Sequence, residues 1–138
     1  MHARAGGFRL RAQHRAMATY DIRIERDGRH ATVHVAGDFS DLDQLLGVMG
    51  RCTRALLAEG VDRVLLLREP GRRAPPVVLV QLLLSLRDLG SDRFRCAVVY
   101  PDYGTELDFY NANAALRGIE HRLFPDRPSA ERYLAEAS

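Results

Sequence analysis

Alternating hydrophobic and polar residues mark the beginning of the folded region. Isoleucines alternate with charged residues over residues 20–26, and a second alternation runs over residues 31–36. Asp27-Gly28 stands between the two runs and is a strong hairpin signal, because glycine readily adopts the positive φ that a two-residue turn requires. The pattern therefore predicts an antiparallel hairpin with one buried face.

Helical periodicity and short apolar runs follow each other along the rest of the chain. Ser40 or Asp41 can cap a helix whose apolar residues recur at helical spacing until Gly60. Further helices are predicted over residues 77–89, 105–116 and 130–137, and strands over residues 64–67, 94–100 and 119–124. A hairpin followed by βα units predicts one α/β domain, with a mixed sheet of about five strands and four helices.

Residues 1–18 form a basic segment that contains arginines and no acidic residue. The segment lacks clear periodicity and has too few apolar residues for a secretory signal. We therefore expect a flexible, disordered leader over residues 1–18 and a single domain over residues 19–138. A transit peptide, or a natural start at Met17, would also explain this composition.

Charge and cysteine content narrow the class of protein. Four of the 20 arginines lie in the leader. The remainder therefore has 16 arginines and 18 acidic residues, which gives a formal net charge of −2. This near-neutral body argues against a nucleic-acid surface, and no apolar run reaches the roughly 18 residues of a membrane span.

Cys52 and Cys96 lack metal-like spacing, and we expect them to be buried thiols in the reducing cytoplasm.

Histidines do not form a recognisable metal site in the sequence. His30 and His34 lie four residues apart in a predicted strand, which separates them by about 13 Å, too far for one metal ion. We therefore expect no metal and no cofactor.

The C-terminal third combines a hydrophobic pattern with several polar landmarks. These are Arg-Cys-Ala-Val-Val at 95–99, Phe-Tyr-Asn-Ala-Asn at 109–113, Arg-Gly at 117–118 before a strand that ends at Phe124, and Ala-Glu-Arg-Tyr-Leu at 130–134. This series resembles the bacterial STAS/Sec14-like branch of the STAS-like superfamily of sporulation anti-anti-sigma factors. The resemblance covers about residues 20–137 and implies a STAS-like fold and a non-enzymatic protein. It implies regulation by binding a protein partner, while the lipid-exchange relatives imply an apolar ligand instead.

The loop before the second predicted helix departs from the pattern of that family. In the anti-sigma antagonists, an Asp-Ser pair at this place is phosphorylated to switch partner binding. Here the loop over residues 68–76 contains no hydroxyl, and the first one after Val64 is Ser85, deep in the predicted helix. The resemblance therefore implies a regulatory or protein-interaction module without the usual phosphorylatable serine, where Glu69 supplies only a fixed negative charge.

This loop and the helix that follows it form the first candidate site. The interaction surface is expected to include Arg68, Glu69, Arg72, Arg73, Val77, Val80, Gln81 and Leu84. Arginines before a helix N-terminus can hold an anion, although a solvated loop is the ordinary explanation of exposed arginines. The apolar stripe over residues 77–89 is wider than one core-facing side, which leaves room for a protein partner, a homodimer or a ligand pocket.

A second candidate site follows the predicted strand over residues 94–100. A ligand crevice at the carboxyl end of this strand would include Tyr100, Asp102, Tyr103, Tyr110, Asn111 and Asn113. An acidic first helical turn is the alternative explanation of the acids, and Asn111 could simply anchor a neighbouring loop. Because no nucleophile stands beside these residues, we expect no catalytic residues. The sequence leaves open a protein partner and a small apolar ligand of the lipid or acyl type.

Overall fold

The computed structural model describes residues 5–13, 19–37, 42–69, 75–101, 104 and 106–136. Within these residues it contains six strands, four helices and a short 3-10 turn. The strands are β1 (Ala5–Gln13), β2 (Thr19–Asp27), β3 (His30–Ala36), β4 (Arg63–Arg68), β5 (Arg95–Val99) and β6 (His121–Phe124). The helices are α1 (Leu42–Ala58), α2 (Pro76–Asp88), α3 (Glu106–Leu116) and α4 (Arg127–Ala135), and the 3-10 turn is Ser91–Arg93.

The strands lie side by side in chain order, from β1 to β6. β1, β2 and β3 are antiparallel neighbours, whereas β3 to β6 run parallel. The predicted mixed α/β sheet that begins with a hairpin is therefore confirmed. The predicted turn is also confirmed: Asp27 and His30 are register partners, and Gly28 between them has φ 62°.

The expected disordered leader over residues 1–18 is wrong for residues 5–13, which form strand β1. β1 pairs with β2 along its whole length, from Ala5 opposite Asp27 to Gln13 opposite Thr19. The pairing satisfies backbone N–H and C=O groups of β2. Phe8 and Leu10 alternate with Arg9 and Arg11 in the sequence, and they are the register partners of Ile24 and Ile22. The strand alternation was therefore present in the sequence, and the expectation of a basic leader overlooked it. Residues 1–4 and 14–18, Met17 among them, lie outside the described residues.

Two layers of helices cover opposite faces of the sheet. The βα connections place α1, α2 and α3 on one face, where Ile24, Val33 and Val98 belong to the larger core. On the other face, α4 packs on β4 and β5 through Ala130 and Leu134. Both faces of β4 are covered, because Val64 belongs to the first core and Leu65 to the second. This explains the continuous apolar run of that strand.

Local chemistry sets where the helices begin and end. α1 is followed by Gly60 with φ 72°, as predicted, and α2 begins at Pro76, whose fixed φ suits a first helical residue. α4 begins at Arg127, three residues before the predicted start, because Asp126 Oδ1 accepts a hydrogen bond of 2.8 Å from Ser129 N. The predicted caps Ser40 and Asp41 lie outside the described residues. Among the described helices, none combines the length and apolarity of a membrane-crossing segment.

Candidate functional site

A cavity of about 90 Å³ lies between the sheet and the layer of α1, α2 and α3. The parallel register builds its floor, because Val33, Leu66 and Val98 are aligned across β3, β4 and β5 and all line the cavity. Leucines of α1 and α2 form the opposite wall, among them Leu45, Leu56, Leu79, Leu83 and Leu86. The cavity is therefore an apolar space within the larger core.

Polar side chains line this cavity near both ends of the strands. Arg68 is the last residue of β4 and Tyr100 directly follows β5, so both lie at the carboxyl end of the cavity. Cys96 and His121 are register partners at the beginnings of β5 and β6, which is the amino end. Since a strand rises about 3.3 Å per residue, the two ends are on the order of 13 Å apart.

Arg68 does not belong to an exposed interaction surface as predicted, because only 7% of the residue is exposed. It lies on the same face of β4 as Val64 and Leu66 and so points toward the helices rather than into solvent. A buried guanidinium requires hydrogen-bond acceptors. Its NH1 donates to the carbonyl oxygens of Glu69 at 2.8 Å and Val35 at 3.4 Å, and its NH2 donates to the carbonyl oxygen of Gly37.

The remaining residues of the predicted interaction surface divide between core and solvent. Val80 is buried in the larger core, because it lies on the side of α2 that faces the sheet, so its assignment to the surface is wrong. Leu84 is half-buried against the same core, whereas Glu69, Val77 and Gln81 are exposed. Arg72 and Arg73 lie outside the described residues.

The structure brings only part of the predicted crevice to the cavity. Tyr100 and Tyr110 are buried and line it together. Burial, with smaller contributions from Cys96 and Tyr100, raises the pKa of Tyr110 well above its ordinary value, so the Tyr110 hydroxyl stays protonated. Asp102 and Tyr103 lie outside the described residues.

The two asparagines of the predicted crevice make structural hydrogen bonds instead. Asn111 Nδ2 donates to the carbonyl oxygen of Leu123 at 3.1 Å, and Leu123 N donates to Asn111 Oδ1 at 2.8 Å. Asn113 Nδ2 donates to the carbonyl oxygen of Phe109 at 2.8 Å, one turn earlier on α3. Asn111 therefore anchors α3 to strand β6, rather than to a loop.

Ser91 and His121 are cavity residues that the sequence analysis missed. Ser91 is fully buried, and no hydrogen-bond partner of its Oγ exists among the described residues. His121 Nε2 lies 3.0 Å from the carbonyl oxygen of Ser91, and its ring stacks on Phe94 with the centroids 5.8 Å apart. The two residues are 30 positions apart. His121 lies in the strand predicted over residues 119–124, but nothing in the sequence indicates that its ring contacts Ser91.

Burial keeps the imidazole ring of His121 neutral. Burial lowers its pKa, and the hydrogen bond to Ser91 and the charge of Asp92 offset this only in part. With a neutral ring, His121 Nε2 donates its hydrogen to the Ser91 carbonyl oxygen, which is an acceptor only. His121 therefore contacts the backbone of Ser91 and is not a base for its hydroxyl.

The thiols that line the cavity are unreactive. Cys52 and Cys96 are both free and buried, and burial raises the pKa of each to about 12. Since the thiolate is the nucleophilic form, protonated thiols behave as small apolar groups. Among the described residues, no group of three His, Cys, Asp or Glu side chains is placed to hold a metal ion. The arrangement is suited to holding a molecule through apolar contact.

Comparison with known proteins finds no family model that matches this chain and no curated protein with a matching sequence.

Proposed function

We propose that the protein is a non-catalytic STAS-like module that binds a small apolar molecule in the cavity between its sheet and α1–α3. The observation that carries the proposal is the cavity itself, about 90 Å³ of leucine- and valine-lined space. At roughly 24 cal/mol per Å³, such a space lowers the free energy of unfolding by about 2 kcal/mol when nothing fills it. An apolar ligand would recover this free energy as binding energy.

The size of the cavity limits the ligand. Benzene binds in an engineered apolar cavity of about 150 Å³, which is larger than this one. A short acyl group or a single aromatic ring with at most one small substituent therefore fits better than a long lipid chain. This narrows the ligand class that the lipid-exchange relatives imply.

Three further features support the STAS-like fold, the non-catalytic role and a cytoplasmic location. A hairpin followed by βα units in chain order supports the STAS-like assignment. The protonated thiols and the backbone contact of His121 support a binding role rather than covalent catalysis, since a nucleophile needs a base within reach. Two free, buried cysteines support a cytoplasmic location, where thiols stay reduced.

Filling the cavity tests the proposal. Val98 and Val99 are adjacent and buried, but Val98 lines the cavity and Val99 belongs to the core on the α4 side. We expect benzene, titrated into the wild-type protein and followed by amide chemical shifts in NMR, to bind at the cavity. Val98→Phe should abolish this binding and Val98→Leu should weaken it several-fold, because each adds carbon atoms to the space.

Val99→Leu is the matched control, because it enlarges a neighbouring core residue on the opposite face. It should bind benzene as the wild type does. Absence of saturable binding to the wild-type protein, together with a clean apo mass in native mass spectrometry, would refute a ligand-binding function.

A second function is favoured by the exposed side of α2. Val77 is 55% exposed in the first turn, and Gln81, one turn later on the same side, is also exposed. We propose that this side contacts a protein partner, or a second copy of the chain, in a regulatory role. The two functions are compatible, because the opposite side of α2 forms the cavity wall.

A further inference from the structure

We propose that the ligand is an uncharged apolar molecule with one hydroxyl or carbonyl oxygen, which forms a hydrogen bond with Ser91 Oγ at the amino end of the cavity. This inference rests on the proposed ligand-binding function and specifies the ligand's chemistry. A small alcohol, phenol or ketone represents the class.

The hydroxyl of Ser91 is a buried polar group that lacks a hydrogen-bond partner among the described residues. The residue has no exposed surface, and it lines the cavity. A buried hydroxyl without a partner destabilises the fold, and an alanine would fill the same place without that penalty. A ligand oxygen at this end of the cavity would satisfy the hydroxyl.

The backbone holds Ser91 firmly in this place. Gly90 turns the chain from α2 into the 3-10 turn with φ 100°, and a Cβ there would lie 3.0 Å from Leu57 Cδ1. The carbonyl oxygen of Ser91 is occupied by His121 Nε2, which acts as a positioning contact. The hydroxyl is therefore the part of Ser91 that makes no hydrogen bond among the described residues.

The surroundings of Ser91 favour an uncharged ligand group. Leu86, Phe94 and Cys96 also line the cavity, and His121 is held neutral by burial. An ionised carboxylate here would lose its hydration and gain one neutral hydrogen bond in return, which is unfavourable. The guanidinium of Arg68 stands at the opposite end of the cavity, on the order of 13 Å away by strand rise.

Phenol and toluene form a matched pair of probes, because they have the same shape and differ by a hydroxyl against a methyl group. We would measure the dissociation constants of both by NMR titration for the wild-type protein, Ser91→Ala and Ser85→Ala. Ser85 is half-buried in α2 and does not line the cavity, which makes Ser85→Ala the control. Ser91→Ala should weaken phenol about tenfold and leave toluene unchanged, since a tenfold change corresponds to one ordinary hydrogen bond.

Melting of the ligand-free proteins provides a second readout. If the hydroxyl lacks a partner, Ser91→Ala should melt at the same temperature as the wild type or higher. A lower melting temperature with unchanged phenol affinity would mean that water satisfies Ser91, and would overturn the inference. Equal effects of Ser91→Ala on both probes would also overturn it, while leaving the cavity as a ligand site. If neither probe binds the wild-type protein, the proposed function itself fails.

Discussion

Among single residues, Asn111 makes the hydrogen bonds to β6 that a neighbouring strand would otherwise make. β6 is an edge strand within the described sheet, so one side of its backbone has no strand neighbour. The amide of Asn111 donates to the carbonyl oxygen of Leu123 and accepts from its N–H, as a neighbouring strand would. Asparagine is uncommon inside a helix, and this two-way contact is the physical reason for its presence in α3.

Replacing Asn111 by alanine should therefore lower the free energy of unfolding by about 2 kcal/mol, because two partly buried hydrogen bonds are lost together. Urea denaturation measures this change. Asn113→Ala is the matched control, since among the described residues the hydrogen bonds of Asn113 stay within its own helix and with Arg117. We expect this variant to cost less than about 0.5 kcal/mol. A loss at Asn111 no larger than that at Asn113 would contradict a stabilising contact between Asn111 and β6, because alanine favours a helix more than asparagine does.

At the scale of elements, α2 serves two surfaces. Leu79, Leu83 and Leu86 face the cavity, whereas Val77 and Gln81 face solvent. The wide apolar stripe read from residues 77–89 is mostly explained by packing, because Val80 and Leu82 are buried as well. The exposed surface left for a partner is a small patch at the beginning of α2 that includes Val77 and Gln81.

A photo-crosslinker tests this patch directly. With p-benzoylphenylalanine in place of Val77, irradiation of intact cells should give one covalent adduct of defined mass. The same crosslinker in place of Asp88, exposed at the other end of α2, should give none. An adduct of twice the chain mass would identify a second copy as the partner. Adducts at both positions in equal yield, or at neither, would contradict a contact surface at the beginning of α2.

α4 closes the opposite face of the sheet and is held there by Arg95. The guanidinium of Arg95 donates to the carbonyl oxygens of Tyr133 at 3.0 Å and Glu136 at 2.9 Å, near the end of α4. It also lies 5.0 Å from the ring centroid of Tyr133 and donates to Glu120 Oε2 at 2.6 Å. A cation at a helix C-terminus satisfies carbonyl groups that have no partner within the helix.

At the scale of the whole molecule, His121 links stability to pH. Its pKa in the fold lies below the ordinary 6.5, chiefly because it is buried. As the pH falls from about 7 to about 5, the unfolded chain binds a proton at this residue before the folded one does, so the free energy of unfolding decreases. Asp126, whose pKa is lowered from 3.8 by hydrogen bonds from Ser129, contributes only at more acidic pH.

Urea denaturation at about pH 7, 6 and 5 measures this dependence. The wild-type protein should lose stability across the series, and His121→Gln should show a flatter profile even if it is less stable overall. His30→Gln, which removes an exposed histidine, is the control for the substitution itself. A slope that survives in His121→Gln would assign the pH dependence to other groups.

The amino-acid sequence by itself determined the class of fold and most of its elements. The alternation on both sides of Asp27-Gly28 and Gly60 after α1 have the predicted structural role. Such signals depend on side-chain periodicity and backbone preferences within a few residues, so they can be interpreted without knowledge of distant contacts.

Tertiary packing determines most of the candidate site, although Tyr100 and Tyr110 were predicted for a crevice and do line the cavity. Arg68 was predicted for a surface but is buried, because its position on β4 places it under the helices. Ser91 and His121 meet across 30 residues, and β1 joins the sheet through backbone pairing. A cavity forms wherever side chains from several elements fail to fill the space between them. That volume is a property of how sheet and helices pack, and no local pattern encodes it.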